Sequence, residues 1–474
     1  MVTDSRDGRM EQLLPGLLAL NEAVNGFVWG PVMLIVLVGT GVYLSVRTGF
    51  FQIRKFGYAM RNTIGRVLGG RSQKADDENI SGFQAVSTAL ASTVGTGNVV
   101  GVATAISLGG PGAVFWMWVS AFFGMMTKYA EIVLAMKYRH VNSEGRYVGG
   151  PMYYIHDGLK QPWLAYLFAI FATLATFGIG NMTQANSIAG AVESSFGVDR
   201  MVTGIVLVVL TAVVILGGIK SIARVTEKLV PVMAVFFVVM SLALLALHAG
   251  QILPSLGLIV RSAFDPASAL GGAAGFTLAQ AIRMGVARGV FSNEAGLGSA
   301  PIAHAASNTR EPVEQGLWGI FEVFVDTIVI CTMTALVIVT TGVWQAEHEG
   351  AALTIAAFNH GLPGTIGGIG LTIGLAMFAY STILGWSYYG EKSLEFLFRH
   401  TAHVKKAILV YRIVFVAAVL AGAVGSLKVV WDIADTLNGL MAIPNLIGVL
   451  LLSGVVVKET RSYVDRQKSR ELQD

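Results

Sequence analysis

Long apolar stretches separated by short polar links run through most of the chain. Eleven of them approach or exceed the roughly 20 mostly apolar residues that cross a bilayer as a helix. They cover 27–47, 82–108, 112–136, 163–190, 201–217, 229–247, 274–299, 316–343, 366–388, 408–424 and 430–457. The second and seventh are less apolar and are rich in Gly, Ser, Thr and Asn. The pattern predicts an all-α membrane protein with eleven transmembrane helices. Ahead of them, residues 1–26 mix Asp4, Asp7, Glu11 and Glu22 with Arg6 and Arg9, and no small-residue cleavage site follows a short apolar core. This stretch does not read as a cleavable signal. Leu13, Leu14, Leu17, Leu18 and Leu20 predict an amphipathic helix lying along the membrane surface.

Composition excludes the soluble alternative. Only 13% of the 474 residues are charged and 54% are hydrophobic, against about 25% charged in an ordinary soluble domain. The 56 glycines suit closely packed or interrupted membrane helices. A net charge of +4, with basic residues scattered between apolar segments, is not the footprint of a nucleic-acid partner. The single cysteine, Cys331, allows no intramolecular disulfide and no cysteine-based metal centre.

Orientation follows from where the basic residues fall. Arg47, Arg54, Lys55, Arg61, Arg66, Arg71 and Lys74 crowd the first link, and later alternate links carry Lys137, Arg139, Lys220, Arg224, Lys405 and Arg461 among others. The opposite side holds only Arg6, Arg9, Arg200, Arg261 and Lys428. By the positive-inside rule the richer side is cytoplasmic. The N-terminus is then outside and the C-terminus inside, in a multi-pass cell membrane protein.

Residues 98–105 (Asn-Val-Val-Gly-Val-Ala-Thr-Ala) and 293–300 (Asn-Glu-Ala-Gly-Leu-Gly-Ser-Ala) match weakly and lie in the two polar stretches. Each copy then opens a unit of five spans. Five is odd, so the copies enter the membrane in opposite orientations, and inverted repeats with interrupted helices point to a transporter's binding site. The chain divides into an extracytoplasmic segment 1–26, an extra helix and basic cytoplasmic loop over 27–81, five-helix repeats over 82–247 and 274–457, and a cytoplasmic tail 458–474.

The run from Ala91 to Asn98 is a poor helix interior, since Gly95 and Gly97 each cost about 1 kcal/mol relative to Ala. A helix starting near Asn98 offers free N–H groups to a carboxylate. Freed carbonyls near Ala91, Thr93 and Val94 suit a bare hard cation such as sodium. A second break over Gly289–Gly296 can offer carbonyls to an ammonium, with Phe291 either lining the pocket or packing in the core.

Several of these motifs, in order, resemble the alanine or glycine:cation symporter family, within the leucine-transporter-like fold. They are Thr93-Val94-Gly95-Thr96-Gly97-Asn98-Val99-Val100-Gly101, Gly110-Pro111-Gly112-Ala113-Val114-Phe115-Trp116, Gly180-Asn181-Met182-Thr183-Gln184-Ala185-Asn186-Ser187 and Phe291-Ser292-Asn293-Glu294-Ala295-Gly296. The resemblance covers about residues 24–460. It implies one N-terminal helix plus a five-plus-five inverted repeat with interrupted first and sixth core helices, and cation-coupled uptake of alanine or glycine by alternating access. It implies a substrate site built from Thr93, Gly95, Thr96, Gly97, Asn98, Gln184, Asn186, Phe291, Ser292, Asn293 and Trp386. It implies a sodium site at Ala91, Val94, Ser381 and Thr382, with sodium as co-transported ion and no cofactor.

Alternatives attach to single residues. Ser381 and Thr382 can back-bond to their own helix. Gln184 and Asn186 can simply join helices. Trp386 can be an interface anchor. Lys128 and Glu131, three apart, predict a pair on one helix face. Asp326 raises proton coupling as the alternative to sodium. A channel would need repeated polar rings, and an enzyme would need a nucleophile–base or metal motif that the stretches lack, so neither is expected.

Overall fold

The computed structural model describes residues 7–69, 78–265, 277–346, 348, 350–425 and 428–471. Expectations placed on Asp4, Arg6, Arg71, Lys74 and residues 274–276, and on the side chains of Arg9, Leu13, Leu14, Leu17 and Lys428, lie outside them. The described chain is almost entirely helical, apart from one two-stranded antiparallel hairpin that pairs His140–Val141 (β1) with Tyr147–Val148 (β2).

Fifteen helical segments build the body. They are α1 (Asp7–Val28), α2 (Pro31–Arg47), α3 (Gly82–Thr93), α4 (Gly97–Gly109), α5 (Gly112–Lys137), α6 (Pro162–Phe196), α7 (Arg200–Ile215) and α8 (Gly218–Leu247). After these come α9 (Leu278–Asn293), α10 (Pro301–Ala305), α11 (Pro312–Thr340), α12 (Ile366–Phe398), α13 (Val404–Val424), α14 (Lys428–Leu451) and α15 (Ser453–Glu471). Among the described residues eight helices are long and apolar enough to cross a membrane, nine if the bent pair α3 and α4 is one span. The expected spans 201–217 and 274–299 fall short of that test. At 16 residues each, α7 and α9 reach about 24 Å at 1.5 Å per residue, less than the ~30 Å hydrocarbon core. Two short helices that hydropathy passed over, Ala249–Ser262 and Gly350–Gly361, join neighbouring elements.

Burial separates central from peripheral helices. In α5, 83% of the most apolar stretch is buried, against 28% in α13. The outer helices carry rows of exposed apolar side chains at helical spacing, such as Val202, Ile205, Val209 and Val213 on α7 and Val232, Val235 and Val239 on α8. These rows are the faces a bilayer covers.

Local chemistry fixes where the interrupted helices begin. Ser81 Oγ accepts from Gln84 N at 3.1 Å while Gln84 Oε1 accepts from Ser81 N at 3.1 Å. Thr277 and Gln280 repeat this reciprocal cap at the start of α9. Each box satisfies two backbone donors that a helix start leaves open.

The central contact is α5 against α9. Gly285 and Gly289 lie one turn apart on α9, and a Cβ at either would strike α5: Ala113 O and Trp116 Cβ at Gly285, Ser120 Oγ at Gly289. This small-x-x-x-small spacing lets the two backbones approach closely without any hydrophobic drive between helices in lipid. Gly257 has nothing within 4 Å of its Cβ position. We therefore expect Gly285→Ala to destabilise the detergent-purified protein by roughly 1–3 kcal/mol through overpacking, and Gly257→Ala to leave the thermal midpoint unchanged or raised. Equal midpoints for the two variants contradict this packing.

Candidate functional site

α3 stops at Thr93, and α4 sets off from Gly97 at 48° to it. Val94 is extended (φ −80°, ψ 95°), and α4 opens with a wide turn over Gly97–Gly101. Buried backbone groups at such a break need partners, and side chains supply them. Gly95 N donates to Asn98 Oδ1 at 2.9 Å, and Thr96 N points at Gln184 Oε1 at 3.4 Å. Gln184 Nε2 donates to Thr96 Oγ1 at 3.1 Å and to Ile179 O at 2.9 Å.

On the carbonyl side, Ser381 Oγ lies 3.0 Å and Thr382 Oγ1 3.1 Å from Ala91 O, and Thr382 Oγ1 lies 3.5 Å from Val94 O. Four oxygens from α3 and α12 therefore converge. Each hydroxyl also reaches its own helix at Phe378 O, at 2.8 and 3.0 Å. Gly95 is confined here, since a Cβ on it would collide with Thr382 Oγ1. The four oxygens are neutral and hard, which fits a bare monovalent cation, and one thioether, Met233 Sδ, lies 3.4 Å from Ser381 Oγ.

The second break begins later than the sequence suggests. Gly289–Asn293 remains helical, and unwinding occupies 294–300, before α10. Glu294 takes the left-handed conformation (φ 58°), followed by Gly296 (φ 94°) and Gly298 (φ 81°). The matched segments 98–105 and 293–300 thus differ in conformation, helical in the first and irregular in the second. The last turn of α9 packs on the start of α4: a Cβ on Gly97 would sit 3.1 Å from Ser292 Cα and 3.3 Å from Phe291 Cδ1.

Between the breaks lies Asp326, buried on α11. It accepts from Asn98 Nδ2 at 2.6 Å, Ser292 Oγ at 3.0 Å and Thr327 Oγ1 at 2.7 Å. Asn98 Nδ2 also lies 3.3 Å from Cys331 Sγ. Asn293 Nδ2 donates to Thr327 Oγ1 at 3.1 Å. Trp386 is buried, stacked over Gly180 where any Cβ would collide with its ring, and its Nε1 donates to Glu294 Oε1 at 3.0 Å. Its ring is enclosed by protein on all sides.

The structure thus brings together Ala91, Val94, Gly95, Thr96, Gly97, Asn98, Gln184, Phe291, Ser292, Ser381 and Thr382. Four expected members fall outside this group: Asn293 and Trp386 bond to Thr327 and Glu294 instead, and two others stand further apart. Asn186 donates to Gly422 O and Gly425 O at 3.1 and 3.0 Å, joining α6 to the end of α13. The Thr93 hydroxyl lies 2.9 Å from Glu322 Oε1, on the far side of α3 from Thr382.

Glu322 exposes what spacing misses. Lys128 pairs with it at 2.7 Å, both side chains fully buried, and not with Glu131, which accepts from Asn445 instead. Lys128 Nζ also donates to Asn293 O at 2.7 Å, where a cation suits the C-terminal end of α9. His304 Nε2 lies 3.1 Å from Glu322 Oε2, and Gln315 Nε2 lies 2.8 Å from His304 Nδ1. The partner of Lys128 is 194 positions away in the chain, beyond the reach of any helical-spacing argument. A second remote pair, Arg288 Nη1 and Asp435 Oδ1 at 3.8 Å, spans α9 and α14 one turn from Phe291.

Against known proteins, the model of the Sodium:alanine symporter family matches residues 16–474. The chain is 52% identical over 460 residues to the sodium/alanine symporter AgcS of Methanococcus maripaludis, covering 95% of this chain and 98% of that one. It is 38% identical over 451 residues to the amino-acid carrier protein AlsT of Bacillus subtilis, covering 94% and 93%. The crystal structure of MhsT in complex with L-phenylalanine superposes with a TM-score of 0.56 at 13% identity, over 81% of this chain and 99% of that one, a likeness of fold.

Removing one member of a buried pair leaves an uncompensated charge, at about 3–5 kcal/mol. Lys128→Met should therefore lower the thermal midpoint sharply. Adding Glu322→Gln should recover part of the loss, and adding Glu131→Gln should not. Recovery with Glu131→Gln alone contradicts the pairing.

Proposed function

This chain belongs to the sodium:alanine symporter family, and we propose that its coupling ion is sodium and its substrate a small neutral amino acid, alanine or glycine. It is a multi-pass membrane protein and a cation-coupled amino-acid symporter, not an enzyme. The observation that carries the finer reading is the convergence of Ser381 Oγ and Thr382 Oγ1 on Ala91 O and Val94 O. None of these four oxygens titrates near neutral pH, which favours a metal cation over a proton at this set. With sodium bound, the two hydroxyls turn their hydrogens away and present lone pairs.

The carboxylate goes to the other side of the same break. The N–H groups of Gly95 and Thr96 are held by the side-chain oxygens of Asn98 and Gln184. A substrate carboxylate replaces those oxygens at the positive end of α4, and the freed amide groups turn to hydrogen-bond it. Phe291, Ser292 and Asn293 close the site from α9, with Trp386 beneath it. Alanine as the substrate is supported by the 52% identity to a sodium/alanine symporter. Thr93 and Asn186 act from outside the pocket, by holding α3 and α13 in place.

We read the chain as eleven spans, with α7 and the α9–α10 segment crossing as part of a five-plus-five inverted repeat and the C-terminus cytoplasmic. Sodium moving inward down about 100 mV releases about 2.3 kcal/mol per charge, enough to concentrate a neutral zwitterion roughly fifty-fold. One bundle rocks against the other to expose the site to each side in turn. A second reading, proton coupling, rests on Asp326, which takes hydrogen bonds from the start of α4 and the end of α9.

Equilibrium binding of radiolabelled alanine in detergent, titrated with sodium, tests this. Ser381→Ala with Thr382→Ala should raise half-saturating sodium by about tenfold or more, two lost ligands at about 1 kcal/mol each. Gln184→Ala should weaken alanine even at saturating sodium. An unchanged sodium titration in the double variant removes the ion from this site. Alanine binding that ignores sodium, follows pH and is lost in Asp326→Asn favours the proton reading.

A further inference from the structure

A strongly basic surface lies away from both breaks, where the end of α2 meets α15. Two adjoining grooves of about 800 and 380 Å³ run there. Arg47, Lys458, Arg461 and Arg466 line the larger one, and Arg54 and Lys468 line the smaller. One carboxylate, Asp465, is present in both.

The register of α15 puts them there. Its inner face is committed to packing: Val456, Thr460 and Tyr463 are buried, Thr460 bonds Tyr129 at 2.8 Å and Tyr463 bonds Tyr58 at 2.7 Å. Gly454, Lys458, Arg461 and Asp465 therefore share the opposite face at three- and four-residue spacing. Gly454 has nothing within 4 Å of its Cβ position, which keeps the groove open beside Arg47. Among the described residues no carboxylate lies within 4 Å of Arg47, Arg54, Lys458, Arg461 or Lys468, and only Arg466 is neutralised, by Glu311 at 2.7 Å. Among the described residues Arg47 donates only to the Tyr43 hydroxyl, at 2.6 Å.

Leading into the groove is an apolar track. Val32, Ile35, Tyr43 and Val46 are exposed along one face of α2, and Leu451 is exposed at the end of α14. Un-neutralised guanidinium groups below a lipid-facing apolar stripe match a molecule with a phosphate at one end and an acyl chain at the other.

We propose that this groove binds the phosphate headgroup of an anionic membrane phospholipid, with an acyl chain along the exposed face of α2. The site is independent of the transport reading, and its test involves neither alanine nor sodium. Inorganic phosphate shares the headgroup chemistry but not the chain, and so separates the two sources.

The test is native mass spectrometry of the full chain in detergent, with dioleoyl phosphatidylglycerol, phosphatidylcholine of the same chains, or millimolar inorganic phosphate. The wild type should retain phosphatidylglycerol over phosphatidylcholine, and inorganic phosphate should not displace it. Arg47→Gln with Arg461→Gln should lose about tenfold in that retention. Lys405→Gln with Lys406→Gln, the same charge change elsewhere, should lose little. Arg47→Lys with Arg461→Lys should keep the lipid, which guards against a fold defect in the glutamine pair. Equal retention of the two lipids, equal loss in the control pair, loss in the lysine pair, or full displacement by inorganic phosphate each overturns the proposal.

Discussion

A helix broken inside a bilayer must find partners for the backbone groups it frees, because no water is there to take them. Around Val94–Gly97 that single requirement recruits side chains from α4, α6 and α12. Gln184 and Asn98 cover the freed N–H groups, and Ser381 and Thr382 cover the freed carbonyls. The partners that satisfy the break without ligand have the chemistry to yield to one: amides give way to a carboxylate, hydroxyls turn toward a cation. The close approach of α5 to α9 and of Gly95 to Thr382 serves this arrangement, since any side chain at these glycines pushes the partners out of reach.

The two breaks are not independent. Lys128 and Glu322 form a buried pair whose remaining bonds go to opposite ends of the site, Lys128 to the last carbonyl of α9 and Glu322 to Thr93 at the end of α3. Asp326 makes a second link, through Asn98 at the start of α4 and Ser292 at the end of α9. Two polar connections therefore run between the helices that flank the two breaks. That is the mechanical property a symporter needs if ion and substrate are to move together.

Much of this was legible in the chain. Gly95-Thr96-Gly97-Asn98 marked the first break because two glycines in three residues cannot sustain a helix interior, and Ser381-Thr382 stood out as adjacent hydroxyls in an apolar run. Other parts were not legible, for physical reasons. Lys128 next to Glu131 reads as a local pair, but charges in lipid seek the partner that satisfies most bonds, and Glu322 comes from a helix remote in sequence. The second break was placed too early because Gly289 looks like an interruption, whereas Gly285 and Gly289 are there for close packing within an intact helix. Its true start, Glu294 in a left-handed conformation, carries no residue that prefers that conformation. The reciprocal caps at Ser81–Gln84 and Thr277–Gln280 were a readable signal for both helix starts, one that hydropathy alone does not weigh.

The central claim is that occupation of the first break by a cation and by an amino acid is one coupled event. Its most direct test is uptake of radiolabelled alanine into proteoliposomes under an inward sodium gradient, compared with an equal choline gradient at fixed pH. The account predicts saturable accumulation with sodium and only equilibration with choline. Accumulation of the same size under both gradients contradicts it.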